Sequence, residues 1–186
     1  MKKIIILFSF LVFSVVCNAQ KNSIPEEVKA YVKSRIDNQI NVGIVVGYID
    51  GDTVEYFSNG NSVITNGTPV NEESVFEIGS ISKTFTTTLL ALKVNDGSMR
   101  LEDPISKYLP KSVKVPTRND KEITLLHLAT HTSGLPRMPD NWSPADPNNP
   151  FADYTFKNLY DFISNYTLTR DIGAEYEYSN LGMGLL

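Results

Sequence analysis

The spacing of apolar residues changes period several times along the chain. In residues 24–40 ("IPEEVKAYVKSRIDNQI") Val28, Tyr31, Val32 and Ile36 fall on one stripe, and Pro25, Glu26 and Glu27 suit a helix start. A helix is predicted there. Two β-rich runs follow, 42–49 and 53–58, on either side of Asp50-Gly51-Asp52, which is a hairpin signal. Residues 61–74 are polar and rich in turn formers.

A second helix is predicted over 81–94, closed by Asn95-Asp96-Gly97. Its Thr86-Thr87-Thr88 run has poor helix propensity, so the helix is expected to depend on burial in the core. Residues 101–110 ("LEDPISKYLP") read as a turn segment. Residues 123–130 read as a short helix ending at "HTSGLP", and 155–166 as a further helix. Residues 136–150 contain five of the ten prolines and predict a long irregular loop. After the loop at 173–180 the chain ends in an apolar run, "LGMGLL". A single hairpin makes a marginal sheet in water. These features read as the front part of a longer protein, with a small α+β domain ending at Leu186 as the alternative.

Composition narrows the class. The 186 residues are 41% hydrophobic and 20% charged, as in an ordinary globular chain. The net charge of −4, with no basic block, argues against nucleic-acid or anionic-membrane partners. The first residues stand apart. Lys2 and Lys3 precede an apolar run from Ile4 to Val16, and Cys17-Asn18-Ala19 offers small residues before Gln20. This is the pattern of a secretory signal peptide over 1–19, and the run is too short to span a membrane as a helix. The expected location is secreted across the inner membrane, in the periplasm. An uncleaved anchor and a lipid anchor on Cys17 are the alternatives. Cleavage after Ala19 would remove the only cysteine, which excludes disulfides and thiol catalysis.

In "FEIGSISKTF" (76–85), Ser80 follows Gly79 at a predicted helix start, and Lys83 stands three residues on, on the same face. A serine hydroxyl is a weak nucleophile that needs a base. A lysine titrates near 10.4, and burial or a helix N-terminus favours its neutral form. The pair suits an activated nucleophile, although spacing alone leaves Lys83 open to being a surface charge. In "YSN", Tyr178 could serve as a base beside a cation, and Asn180 offers a donor and an acceptor for a substrate amide. An ordinary turn over a packed aromatic is the other reading. His127 and His131 have the i,i+4 spacing of a zinc pair, but Leu128 stands where a zinc protease carries glutamate and no third ligand is evident. A structural role is expected for both. No Gly-x-Ser-x-Gly elbow occurs, which disfavours an α/β-hydrolase.

Taken together, "FEIGSISK", "GSMRLEDPISKYLP", "HLATHTSGLP" and "GAEYEYSNLGMGLL" resemble, in order, blocks of the class C β-lactamases and the penicillin-binding-protein-related serine hydrolases. The resemblance implies Ser80 as the acylated nucleophile, with its backbone N–H as one oxyanion donor. It implies Lys83 and Tyr178 as a coupled proton-transfer pair, and Asn180 in contact with the substrate amide and with Lys83. It implies no cofactor and no metal. The implied fold is α/β of the α+β type: an antiparallel sheet flanked by helices beside an all-helical region. Residues 20–75 would belong to the sheet part and 76–186 to the helical part carrying the site, with the C-terminal strands missing from this chain.

The family's third motif, Lys-Thr-Gly or a relative, is not found, and Ile172-Gly173 replaces the usual Pro-Gly before the tyrosine motif. The implied protein is a monomeric secreted serine β-lactamase acting on a small-molecule β-lactam. The alternatives are a D-Ala-D-Ala carboxypeptidase, peptidase or esterase on the same fold, and a non-catalytic penicillin- or peptidoglycan-binding sensor. The 186 residues alone are expected to be inactive.

Overall fold

A computed structural model describes residues 23–186. The signal-peptide reading of 1–19 and Cys17 fall outside them. The chain divides into two compact units between Glu77 and Ile78.

The first unit is a helix packed on a hairpin. Helix α1 (Glu26–Asp37) starts after Pro25, with Glu26 and Glu27 in its first turn and Arg35 in its last, as the helix dipole favours. Strands β1 (Gly43–Asp50) and β2 (Thr53–Gly60) pair antiparallel, with Gly43 opposite Gly60 and Asp50 opposite Thr53, so only Gly51 and Asp52 form the loop. Ile24, Val32 and Val70 are buried in this unit. The Ile24 N–H donates to a Glu55 carboxylate oxygen of β2 at 3.0 Å.

The second unit is helical. It comprises α2 (Ser82–Asn95), α3 (Leu125–Ala129), α4 (Phe156–Asn165) and α5 (Asn180–Leu185), with a 3-10 turn at Gly79–Ile81 and another at Ile105–Lys107. The only β pairings within it, among the described residues, are isolated bridges such as Pro104 with Thr124. Its core gathers Ile105, Ile123, Leu128, Leu135, Phe162 and Ile163, among others. Complete burial of side chains such as Ile163 and Leu128 contributes about 1.5–3 kcal/mol each.

Helices α3 and α4 both begin with reciprocal caps. Thr124 accepts from the His127 backbone N–H while the His127 ring accepts from the Thr124 N–H. Thr155 and Asn158 repeat the arrangement. The proline-rich segment 136–150 is irregular, as its composition predicts. It is tied down by Trp142, whose indole N–H donates to Pro150 O at 2.8 Å and whose ring stacks on Phe151.

Helix α2 is partly buried among the described residues, with Leu90 in the core cluster. Only Leu90 is buried, while Phe85, Leu89 and Leu92 are each more than half exposed. Side-chain hydrogen bonding within the helix occupies the threonine hydroxyls instead: Thr84 Oγ1 donates to Ile81 O at 2.7 Å, Thr88 Oγ1 to Thr84 O at 2.7 Å, and Thr87 Oγ1 to Lys83 O at 3.1 Å. No helix among the described residues is long and apolar enough to cross a membrane.

Candidate active site

Gly79 has φ +51°, a left-handed conformation that a side chain disfavours. It turns the chain into the 3-10 turn that holds Ser80, one residue-pair ahead of α2. Lys83, in the first turn of α2, reaches back so that its Nζ donates to Ser80 Oγ at 3.2 Å. Ser80 is exposed and Lys83 half-buried.

Tyr178 arrives from the other end of the unit. Its hydroxyl donates to Ser80 Oγ at 2.6 Å. The Lys83 ammonium lies 5.1 Å from the centre of the Tyr178 ring. Ser80, Lys83 and Tyr178 therefore converge on one oxygen. The Tyr178 hydroxyl titrates below the ordinary phenol value. Hydrogen bonding from Lys83 is the largest cause and that with Ser80 the next. Burial opposes both, and the charges of Lys83 and Arg137 add to the lowering.

The position of Tyr178 is set by the residue after it. Ser179 is buried and caps α5: its Oγ accepts from the Gly182 N–H at 2.8 Å and donates to Pro136 O at 2.7 Å. Its own N–H donates to His131 Nδ1 at 3.1 Å. One turn upstream, Gly173 has φ +82°, and its N–H donates to Thr132 O at 2.8 Å. A Cβ there would stand 3.2 Å from His127 Nε2, so glycine at this position is required even with Ile172 in front of it.

Asn180, the first residue of α5, is held through its backbone N–H, which donates to Arg137 O at 3.0 Å. Its side-chain amide donates to Met138 Sδ at 3.4 Å. Among the described residues no hydrogen bond joins Asn180 to Lys83, the contact that the resemblance implies. Asn180 instead lines one end of an apolar cleft of about 520 Å³, walled by Trp142, Phe151 and Phe156.

His127 and His131 each accept a backbone hydrogen bond at Nδ1. His127 is engaged in the α3 cap. His131, beyond the end of α3 at φ +59°, packs its ring on Tyr178 at 4.7 Å between centroids. Accepting at Nδ1 requires that nitrogen to be unprotonated, and burial, followed by the charge of Lys83, pushes His131 below its ordinary value. Among the described residues no group of three or more His, Cys, Asp or Glu is placed to hold a metal ion.

Two residues of this site escape a sequence reading. His131 stood out only as half of a zinc spacing. Arg137, which follows "HTSGLP", carries no sequence signal, yet its guanidinium lies 4.9 Å from the Tyr178 ring centre.

Comparison with known proteins supports the same grouping. The chain is 35% identical over 144 residues to the D-alanyl-D-alanine-carboxypeptidase/endopeptidase AmpH of Escherichia coli K12, covering 77% of this chain and 37% of that protein. It is 34% identical over 169 residues to a β-lactamase of the same strain, covering 90% and 41%. The chain thus spans about two fifths of the length of these curated relatives.

Among solved structures it resembles a β-lactamase/D-alanine carboxypeptidase from Yersinia pestis in complex with citrate. The TM-score is 0.70 at 30% identity, over 87% of this chain and 47% of that one. It also resembles a class C β-lactamase from Rhodobacter sphaeroides, with a TM-score of 0.65 at 30% identity, over 87% and 42%. These neighbours share the β-lactamase/transpeptidase-like α+β fold expected from the sequence. The Beta-lactamase family model matches residues 28–186, and the chain belongs to that family.

Proposed function

We propose that the protein carrying this chain is a secreted serine hydrolase that opens β-lactam amides through an acyl-enzyme on Ser80. The convergence of Tyr178 Oη and Lys83 Nζ on Ser80 Oγ is the observation that supports this most strongly. In this reading the reactive form has the Tyr178–Lys83 pair one proton short, and the pair takes the Ser80 proton as Ser80 Oγ attacks the lactam carbonyl carbon. The Ser80 backbone N–H is one donor to the oxygen that becomes negative. Collapse of the tetrahedral intermediate breaks the C–N bond, and the pair returns the proton to the leaving nitrogen. Water then repeats the sequence on the acyl ester and frees Ser80. The two groups share the proton and act as one unit. Asn180, beside the cleft, would hold the substrate amide.

A D-Ala-D-Ala carboxypeptidase or peptidase is the second reading, and the 35% identity to a D-alanyl-D-alanine-carboxypeptidase/endopeptidase favours it. The same residues would cleave a peptide instead, and an esterase would use them likewise. A non-catalytic penicillin- or peptidoglycan-binding sensor would have no use for the full Ser80–Lys83–Tyr178 convergence. Secretion rests on residues 1–19, and monomeric behaviour is part of the same proposal.

Because the chain spans about two fifths of its curated relatives, turnover is proposed for the full-length polypeptide that carries it. The 186 residues alone are expected to hydrolyse nothing. Turnover of a chromogenic cephalosporin by the full-length polypeptide tests the first reading. Slow or absent turnover with stable acylation selects the peptidase, and no acylation at all contradicts both.

A further inference from the structure

We propose that Arg137 is a positioning residue of this site: its guanidinium, lying over the Tyr178 ring, supplies a permanent positive charge that favours negative charge on the phenol oxygen while Lys83 exchanges protons. This rests on the acid–base role proposed above for Tyr178.

The geometry is fixed by the backbone. Arg137 O accepts from the Asn180 and Leu181 N–H groups at 3.0 and 3.3 Å, and the neighbouring Pro136 O accepts from Ser179 Oγ. The segment bearing Arg137 is thereby fastened to the start of α5, two residues beyond Tyr178. The side chain is exposed, and no salt bridge engages it among the described residues. Its guanidinium instead lies 4.9 Å from the Tyr178 ring centre, within cation–π range.

The charges around Tyr178 are unequal in kind. From α2 comes Lys83, and from the turn before it the neutral Ser80. From the loop after α3 comes His131, whose Nδ1 is an acceptor and which therefore contributes no charge there. On Tyr178's own segment Glu177 is paired with Arg170. Among the described residues, no carboxylate is among the largest influences on the phenol.

Lys83 is the larger influence, but a lysine that takes part in proton transfer loses its charge when it gives up its proton. An arginine keeps its charge throughout the accessible pH range. A cation attracts a neutral ring only through the ring quadrupole, whereas it attracts a phenolate by full charge, so Arg137 stabilises the deprotonated form more. Removing the charge therefore moves the phenol midpoint upward.

The experiment follows the phenol itself. In the full-length polypeptide with ¹³Cζ-labelled tyrosine, the Tyr178 resonance, assigned through Tyr178→Phe, is titrated by NMR. Arg137→Gln is expected to move its midpoint up, and Arg137→Lys to restore most of the shift. Arg137→Met keeps the aliphatic stem without the charge, and it decides the matter if the glutamine variant fails to fold. The rising limb of Ser80 acylation against pH should move with the midpoint. An unchanged Tyr178 midpoint in the neutral variants overturns the inference. The two proposals fail separately: a wild-type protein that never acylates at Ser80 removes the hydrolase reading, while the NMR titration still decides whether Arg137 governs Tyr178.

Discussion

Tyr178 donates a 2.6 Å hydrogen bond to Ser80 Oγ across 98 residues of chain. A phenol can reach a serine in this way only because α5 is anchored through Ser179 and α2 begins at the turn holding Ser80. The contact belongs to the fold of the helical unit, and the account of the chemistry depends on it.

Tyr178→Phe removes the hydroxyl and leaves the ring against His131 and Arg137. Acylation of the full-length polypeptide is expected to slow by about 10²–10⁴-fold, the usual range for loss of a general acid–base group. Stopped-flow measurement of acylation gives the value. Rapid acylation and turnover surviving in this variant would remove Tyr178 from the proton pathway.

Ser179→Ala deletes the cap of α5. The Gly182 N–H and the Pro136 carbonyl lose their partner in a buried place. A loss of about 1–3 kcal/mol is expected in chemical denaturation, together with slower acylation because Tyr178 is no longer held. Unchanged stability would show that the cap contributes little.

Asp103 supplies an acid-sensitive link. Lys107 and Tyr108 donate to its carboxylate at 2.8 and 2.5 Å, and the Arg100 N–H donates at 2.9 Å. The hydrogen bond from Lys107, then that from Tyr108, holds the carboxyl at about 2, down from 3.8. A carboxyl lowered by folding stabilises the native state above its unfolded value, and that stability drains away as pH falls from about 3.8 toward about 2. Melting temperature measured from pH 5 to pH 2 should fall less steeply in Asp103→Asn than in the wild type. Parallel curves would contradict the assignment.

Much of this was legible in the sequence because local rules and tertiary packing agreed. The hairpin carries its own turn in Asp50-Gly51-Asp52. Helix α4 shows both its apolar face and its cap at Thr155. Ser80 and Lys83 stand three residues apart at a helix start, so the spacing allows their contact, and the structure shows it at 3.2 Å.

What the sequence leaves unread is largely non-local. Low threonine propensity suggests burial for α2; the structure adds that its threonine hydroxyls bond back to helix carbonyls, which propensity does not show. Arg137 and His131 meet Tyr178 through the turn after α3 and the Ser179 anchor, which no periodicity reveals. The Asn180 amide contacts Met138, and the start of α5 is held by Arg137 O, which no local pattern shows.

The central claim is that Ser80 is the acylated residue. Its most direct test is covalent labelling of the full-length polypeptide with a fluorescent penicillin, compared between wild type and Ser80→Ala, with the labelled peptide located by mass spectrometry. The account expects one adduct, on the peptide containing Ser80, absent from the alanine variant. No adduct on the folded wild type, or an adduct that persists in Ser80→Ala, would contradict it.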